Sequence, residues 1–132
     1  MNRECKLSWA AGFFDGEGSV YIRHTTKHKG GNGRYYPLLT VEMSLSQVEP
    51  HPLRRFKKIV NTGKLGGPYK PRKKNAKPYY KWQTAGRPST RKVLLLLWPY
   101  LSNPKKIQAK RCWKELLEKR TKKSPKLQEL PR

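Results

Sequence analysis

The stretch that decides the reading of this chain is Ala10-Ala-Gly-Phe-Phe-Asp-Gly-Glu-Gly18. Trp9, Ala10, Phe13 and Phe14 recur near the helical period, and Ala11 and Gly12 leave a small-residue face, so Leu7 to Phe14 predict a short helix. Gly16 and Gly18 bracket its end, as glycine does at helix C-termini. Two carboxylates, Asp15 and Glu17, stand at that end, in a chain with 31 Lys and Arg, 8 Asp and Glu, and a formal net charge of +23. Between Ser19 and Lys114 the only acids are Glu42 and Glu49. A helix C-terminus disfavours a carboxylate and favours a cation. Glu17 is therefore poorly placed for stability, and these two acids are the first residues to test for chemistry.

Working outward, Ser19 to Lys27 alternates, with Val20 and Ile22 on one side and Tyr21, Arg23 and Thr25 on the other, the pattern of a half-buried strand. Lys29 to Gly33 predicts a turn. Leu38 to Leu45 alternates again, with Leu39, Val41, Met43 and Leu45 inward and Thr40, Glu42 and Ser44 outward. Pro50 and Pro52 open a helix carrying Leu53, Phe56, Ile59 and Val60, which Asn61-Thr62-Gly63 ends. Two shorter strands are expected at Lys64 to Lys70 and Tyr79 to Ala85, joined by the loop Pro71 to Pro78. Arg87 to Lys92 leads into an apolar helix, Val93 to Tyr100, and Pro104 opens a last helix to about Arg120. The order predicts a single α+β domain over 1–120, with a curved antiparallel sheet packed on helices by one face. Residues 121–132 read as a polar, flexible tail. Trp82 and Trp98 are expected in the core, and Cys112, Trp113 and Leu116 have core or interface spacing.

The charge points to a polyanion partner, most simply nucleic acid. Lys57, Lys58, Lys64, Lys70, Arg72, Lys73, Lys74, Lys77 and Lys81 interleave with Tyr69, Tyr79, Tyr80 and Trp82, as phosphate contact combined with apolar contact requires. The aromatic content argues against a disordered basic tail. Two cysteines are too few for a disulfide framework and lack metal spacing, and His24 and His28 have no partner set for zinc. The longest apolar run, Val93 to Trp98, is far short of a membrane span, and no membrane partner is expected. The N-terminus lacks the apolar core of a signal peptide.

Residues 10 to 18 resemble the motif of the LAGLIDADG homing endonucleases. Ala11, Gly12, Asp15 and Gly18 match it, Glu17 replaces Asp, Ala10 replaces the first Leu, and Phe13, Phe14 and Gly16 are variants of tolerated types. The element order from Leu7 to Leu117 is also similar to the family's α-β-β-α-β-β-α plan. The resemblance implies a site-specific, metal-dependent endonuclease for double-stranded DNA that reads a long site on the major-groove side. It implies cleavage across the minor groove, leaving cohesive ends. Only one motif occurs, and single-motif members act as homodimers on near-palindromic sites. Trp9, Gly12, Phe13, Asp15 and Gly16 would then form the dimer seam; the lesser alternative for Gly12 and Gly16 is tight packing within one subunit.

The resemblance assigns Mg²⁺, or another divalent cation such as Mn²⁺, to Glu17 with the Gly16 carbonyl. Asp15 would be mainly structural. Gln47 would order water, and Lys105, with Lys106 as its rival, would stabilise phosphate charge. A further basic residue is expected near the start of the second helix, where Arg54 is chosen over His51 and Arg55. The DNA readers would be Tyr21, Arg23, Thr25, Lys27, Arg34, Tyr36, Thr40, Glu42, Ser44, Lys70, Arg72, Lys81 and Gln83. Glu42 could accept from cytosine or pair with a neighbouring Arg, and Lys73, Lys74 and Lys77 either hold phosphate or stay solvated. A different class remains open at this point: a cleavage-inactive nucleic-acid-binding module, such as an RNA maturase or a transcription-factor-like derivative.

Overall fold

Asn2 starts the first helix. Its side chain accepts a hydrogen bond from the Cys5 N–H at 2.8 Å, filling one of the donors that a helix N-terminus leaves open. The computed structural model describes residues 2–29, 35–119 and 130–131, with the backbone alone for 25–29 and 35–38. Helix α1 spans Arg3–Glu17, longer at both ends than the apolar period predicts. Its first turn is polar and is held by the cap, which hydrophobic periodicity cannot register. Leu7, Ala10, Ala11 and Phe14 form its buried face. At Gly18 the chain leaves the helix with its N–H bonded to the Phe14 carbonyl. A Cβ on Gly18 would lie 2.3 Å from the Phe14 ring, so the close approach admits only glycine.

Strands β1 (Gly18–Lys29) and β2 (Tyr35–Gln47) pair antiparallel from Gly18–Leu45 outward, with an irregularity between Thr25 and His28. Of the expected turn, Lys29 is the last residue of β1, while residues 30–33 and Arg34 lie outside the described residues. Helix α2 (Pro50–Val60) ends at Asn61, whose left-handed φ of 54° lets its N–H reach the Lys57 carbonyl at 2.8 Å. Strands β3 (Lys64–Tyr69) and β4 (Tyr79–Gln83) complete an antiparallel sheet in the order β1-β2-β4-β3.

The inward column of this sheet is Val20, Val41, Met43, Leu45 and Trp82, all buried. Phe56 of α2 meets the Trp82 ring edge-on at 4.7 Å and the Phe14 ring at 6.3 Å. The Trp82 indole N–H donates to the Thr62 carbonyl at 3.0 Å. Gly63, with φ of 94°, passes so close that a Cβ there would lie 2.3 Å from the indole nitrogen.

Helix α3 spans Arg87–Leu97 and runs into a single 3₁₀ turn, Trp98–Tyr100. The sequence reading places its start at Val93; the difference is Thr90, which is fully buried. Thr90 Oγ1 lies 2.8 Å from the Val41 carbonyl and 2.7 Å from Thr84 Oγ1, and Thr84 Oγ1 accepts the Met43 N–H at 2.9 Å. These hydroxyls fasten α3 to β2, so a segment that reads as a polar lead-in is the packed first turn of the helix. β4 correspondingly stops at Gln83, before Ala85.

Helix α4 (Asn103–Glu118) lies along the outer edge of β1. Gln108 Oε1 accepts the Val20 N–H at 3.2 Å, and Cys112 Sγ lies 3.7 Å from the Val20 carbonyl. This covers part of an otherwise open strand edge. Trp98, Trp113 and Leu116 are buried, as their spacing predicts, and Cys112 is half-buried. Of the expected tail, residues 121–129 and Arg132 lie outside the described residues, whereas Leu130 packs against the core. No helix among the described residues is long and apolar enough to cross a membrane.

Candidate active site and nucleic-acid face

The end of α1 separates its two acids. Asp15 turns toward the start of α4. Both carboxylate oxygens accept the Ser102 N–H at 3.1 Å, and Oδ1 also accepts the Ser102 hydroxyl at 2.9 Å. Ser102 is the N-cap of α4 but makes no capping bond with its own side chain. Asp15 supplies that cap from another helix, with a negative charge where the α4 dipole favours one. Glu17 is the last residue of α1, is exposed, and forms no ion pair among the described residues.

Fixing α4 in this way fixes Lys105 in its first turn. The Lys105 ammonium donates to the Gly18 carbonyl and lies 5.7 Å from the centre of the Phe14 ring. It thus sits one residue past Glu17, where the negative end of α1 favours a cation. Its rival Lys106 turns elsewhere, 5.7 Å over the Trp98 ring. Gln47 ends β2, two residues beyond the partner of Gly18 and opposite Tyr80. The three basic candidates of α2 part company. Arg55 stacks 4.0 Å over the Trp9 ring, and His51 lines a cavity of about 520 Å³ with Trp9, Glu49, Pro52 and Arg55. Arg54 is exposed, and no bond among the described residues ties it to the end of α1.

Among the described residues no three His, Cys, Asp or Glu side chains come together. With Asp15 committed to Ser102, the oxygen donors at this point are the Glu17 carboxylate and the main-chain carbonyls of the helix end, Gly16 included. Such a donor set fits Mg²⁺, which takes one or two carboxylates and completes its shell with water and phosphate.

The outward face of α1 carries Trp9, Gly12, Phe13 and Gly16, spaced so that all four share one side. Trp9 and Phe13 are half-buried with ring centres 5.3 Å apart. A Cβ added at Gly12 or Gly16 would meet nothing within 4 Å. Packing inside one chain therefore does not require either glycine.

On the sheet face away from the helices, register lines up Ser19, Ser44, Gln83 and Lys64, then Tyr21 with Glu42, then Arg23 with Thr40. Ser46 and Lys81 form a further pair. The alternation is as expected, but the expected exposure is not. Thr40 is 7% and Glu42 3% exposed. Direct contact with a base edge is thus closed to Glu42 as it stands, and Glu42 Oε1 instead accepts from Arg23 Nη1 at 3.1 Å. Burial, and secondarily the Glu42 charge, push the Tyr21 phenol pKa up. Lys70, Arg72, Lys73, Lys74 and Lys77 are exposed on the β3–β4 connection. Thr25, Lys27 and Tyr36 occupy strand positions, but their side chains lie outside what is described.

A protein-family model for the LAGLIDADG endonuclease matches residues 10–117. This chain belongs to the LAGLIDADG endonuclease family. A search of curated protein sequences finds no match. Among solved structures, the chain is similar to the homing endonuclease I-CvuI in complex with its target in 2 mM Ca, with TM-score 0.63 and 24% identity over 88% of this chain and 68% of that one. It is also similar to the group I intron-encoded homing endonuclease I-CeuI complexed with DNA, with TM-score 0.61 and 23% identity over 89% and 55% of the two chains. The archaeal intron-encoded I-Vdi141I complexed with DNA gives TM-score 0.57 and 15% identity over 96% and 91%. The chain spans only about half the length of I-CeuI. These likenesses establish the α-β-β-α-β-β-α fold of the LAGLIDADG homing endonucleases for this LAGLIDADG chain.

The sequence reading missed Ser102. Its signal was present in Ser102-Asn-Pro104, an N-cap residue ahead of a helix-opening proline. That its bonds go to a carboxylate 87 residues away is a tertiary fact that no local pattern carries.

Proposed function

We propose that this LAGLIDADG protein is a site-specific endonuclease for double-stranded DNA, acting as a homodimer with Mg²⁺ or Mn²⁺ on a near-palindromic site and leaving cohesive ends. The observation that carries the reading is Glu17. In a chain of net charge +23, an exposed carboxylate with no ion pair among the described residues stands at the helix end whose dipole disfavours it. Phosphate repels such a group, and a divalent cation between the two would turn that repulsion into attraction.

Glu17, with the Gly16 carbonyl, would hold the divalent ion. When bound, such an ion polarises the scissile phosphate and lowers the pKa of the attacking water. Lys105, already oriented by the Gly18 carbonyl, would offset charge developing on the phosphate. Gln47 would hold the nucleophilic water by its amide; as a neutral amide it orients the water and does not deprotonate it. The face of Trp9, Gly12, Phe13 and Gly16 would receive the same face of a second copy, its small residues letting the backbones approach. A two-fold axis there brings two copies of Glu17 close, one for each strand. The basic sheet face, doubled by the dimer, would follow the major groove, with Arg23, Lys81 and Gln83 among its readers.

The test is selection of cleaved products from a randomised duplex library in Mg²⁺. The expected outcome is a nearly palindromic consensus cut on both strands with cohesive ends. Products that appear without divalent metal, or an absence of sequence-specific products, would contradict the proposal.

A further inference from the structure

Glu42 is a buried acid on the polar face of a sheet where, among the described residues, the other charged side chains, Arg23, Lys64 and Lys81, are basic. Its Oε1 is held by Arg23 Nη1 at 3.1 Å, while Oε2 is buried without a hydrogen-bond partner among the described residues. Thr40 Oγ1, two residues along the same face of β2, is likewise buried and unpartnered. A buried carboxylate is costly unless a cation or hydrogen-bond donors balance it. Here that cation is Arg23, which cannot leave without stranding the charge.

Arg23 is differently placed. Its side chain is 57% exposed on the sheet edge. A guanidinium carries five N–H donors in a rigid fork. Glu42 holds one Nη1 donor of this exposed guanidinium at 3.1 Å, and the contact leaves the other donors of the fork for a partner. Two parallel donors held in this way match O6 and N7 of guanine, the commonest specific contact in the major groove. An untethered arginine swings to whichever phosphate is near and carries no sequence information. The couple is electrically neutral, so in a chain of +23 it adds nothing to phosphate attraction. What it supplies is direction.

We propose that Glu42 is a positioning residue that aims the Arg23 guanidinium at guanine, so that the Arg23–Glu42 couple sets one G·C position in each half of the target site. The inference rests on the DNA-reading function proposed above and adds to it the base read and the residue that enforces the reading.

The test is selection of bound duplexes from a randomised library without divalent metal, using the full-length wild type, Glu42→Gln, Arg23→Lys and Arg23→Ala, with thermal melting alongside. The wild type is expected to show a G·C preference at one symmetric pair of positions. Both Arg23 variants should reduce it roughly 5- to 150-fold, the range of a bidentate contact, leaving other positions unchanged. Glu42→Gln should weaken the same position while binding to random-sequence duplex stays equal or rises, since it removes one negative charge. A purely structural role for Glu42 would instead lower affinity evenly across sequences, and that result overturns the proposal. So does an unchanged preference in Arg23→Lys, an exposed substitution that tests the idea even where Glu42→Gln does not fold. A wild-type site whose profile survives every substitution contradicts this inference alone. A wild type with no sequence preference contradicts the endonuclease reading as well.

Discussion

The two carboxylates at the end of α1 are two residues apart and are used in opposite ways. Asp15 accepts three bonds from Ser102 and joins the end of one helix to the start of another. Glu17 is exposed and stands without an ion pair among the described residues. The difference teaches what each is for. Asp15 builds the corner that carries Lys105 to the Gly18 carbonyl, and Glu17 is left free at that corner. Helix geometry explains the split: neighbouring positions two apart point to different sides, so one acid can serve the fold while the other serves the solvent face.

The sharpest way to break this comparison is to exchange the roles. Glu17→Gln should cut cleavage roughly a hundredfold or more, since metal assistance contributes several kcal/mol to the transition state. Its unfolding free energy should stay within about 0.5 kcal/mol of wild type, as for a surface substitution. Rapid-quench cleavage assays and urea titrations check the two halves separately. Asp15→Asn should do the reverse and cost about 1–2 kcal/mol of stability through loss of a charged helix cap. Cleavage by the folded fraction should fall far less than in Glu17→Gln. Equal losses of activity with unchanged stability in both variants would erase the distinction.

A smaller effect tests the same helix on its outward side. Within one chain, Gly12→Ala meets no neighbour and should raise helix stability by about 1 kcal/mol. If two copies pack through this face, the added methyl groups should weaken the dimer. Sedimentation and urea unfolding measured together should then move in opposite directions. A variant that is more stable and equally dimeric would show that the glycines serve no seam.

How much of this was legible in the sequence follows from how local each determinant is. Alternation over Val20 to Ile22 and Val41 to Leu45 identified the core face of β1 and β2 because the period-two pattern is written in adjacent residues. Asn61-Thr62-Gly63 marked the end of α2 for the same reason. The start of α3 escaped, since the burial of Thr90 depends on the Val41 carbonyl, 49 residues away in the chain. The burial of Thr40 and Glu42 escaped as well: alternation assigns a face but does not say what overlies it. At the candidate site, the motif located Glu17, whereas the tie from Asp15 to Ser102 belongs to tertiary structure.

The most direct measurement of the central claim begins with the full-length protein bound to its selected duplex in EDTA. Excess Mg²⁺ is then added, and the integrity of each strand is followed by denaturing electrophoresis. The account predicts an intact duplex in EDTA and cleavage of both strands, with cohesive ends, after Mg²⁺ is added. Cleavage already present in EDTA, or a bound duplex that stays whole at every Mg²⁺ concentration, would contradict it.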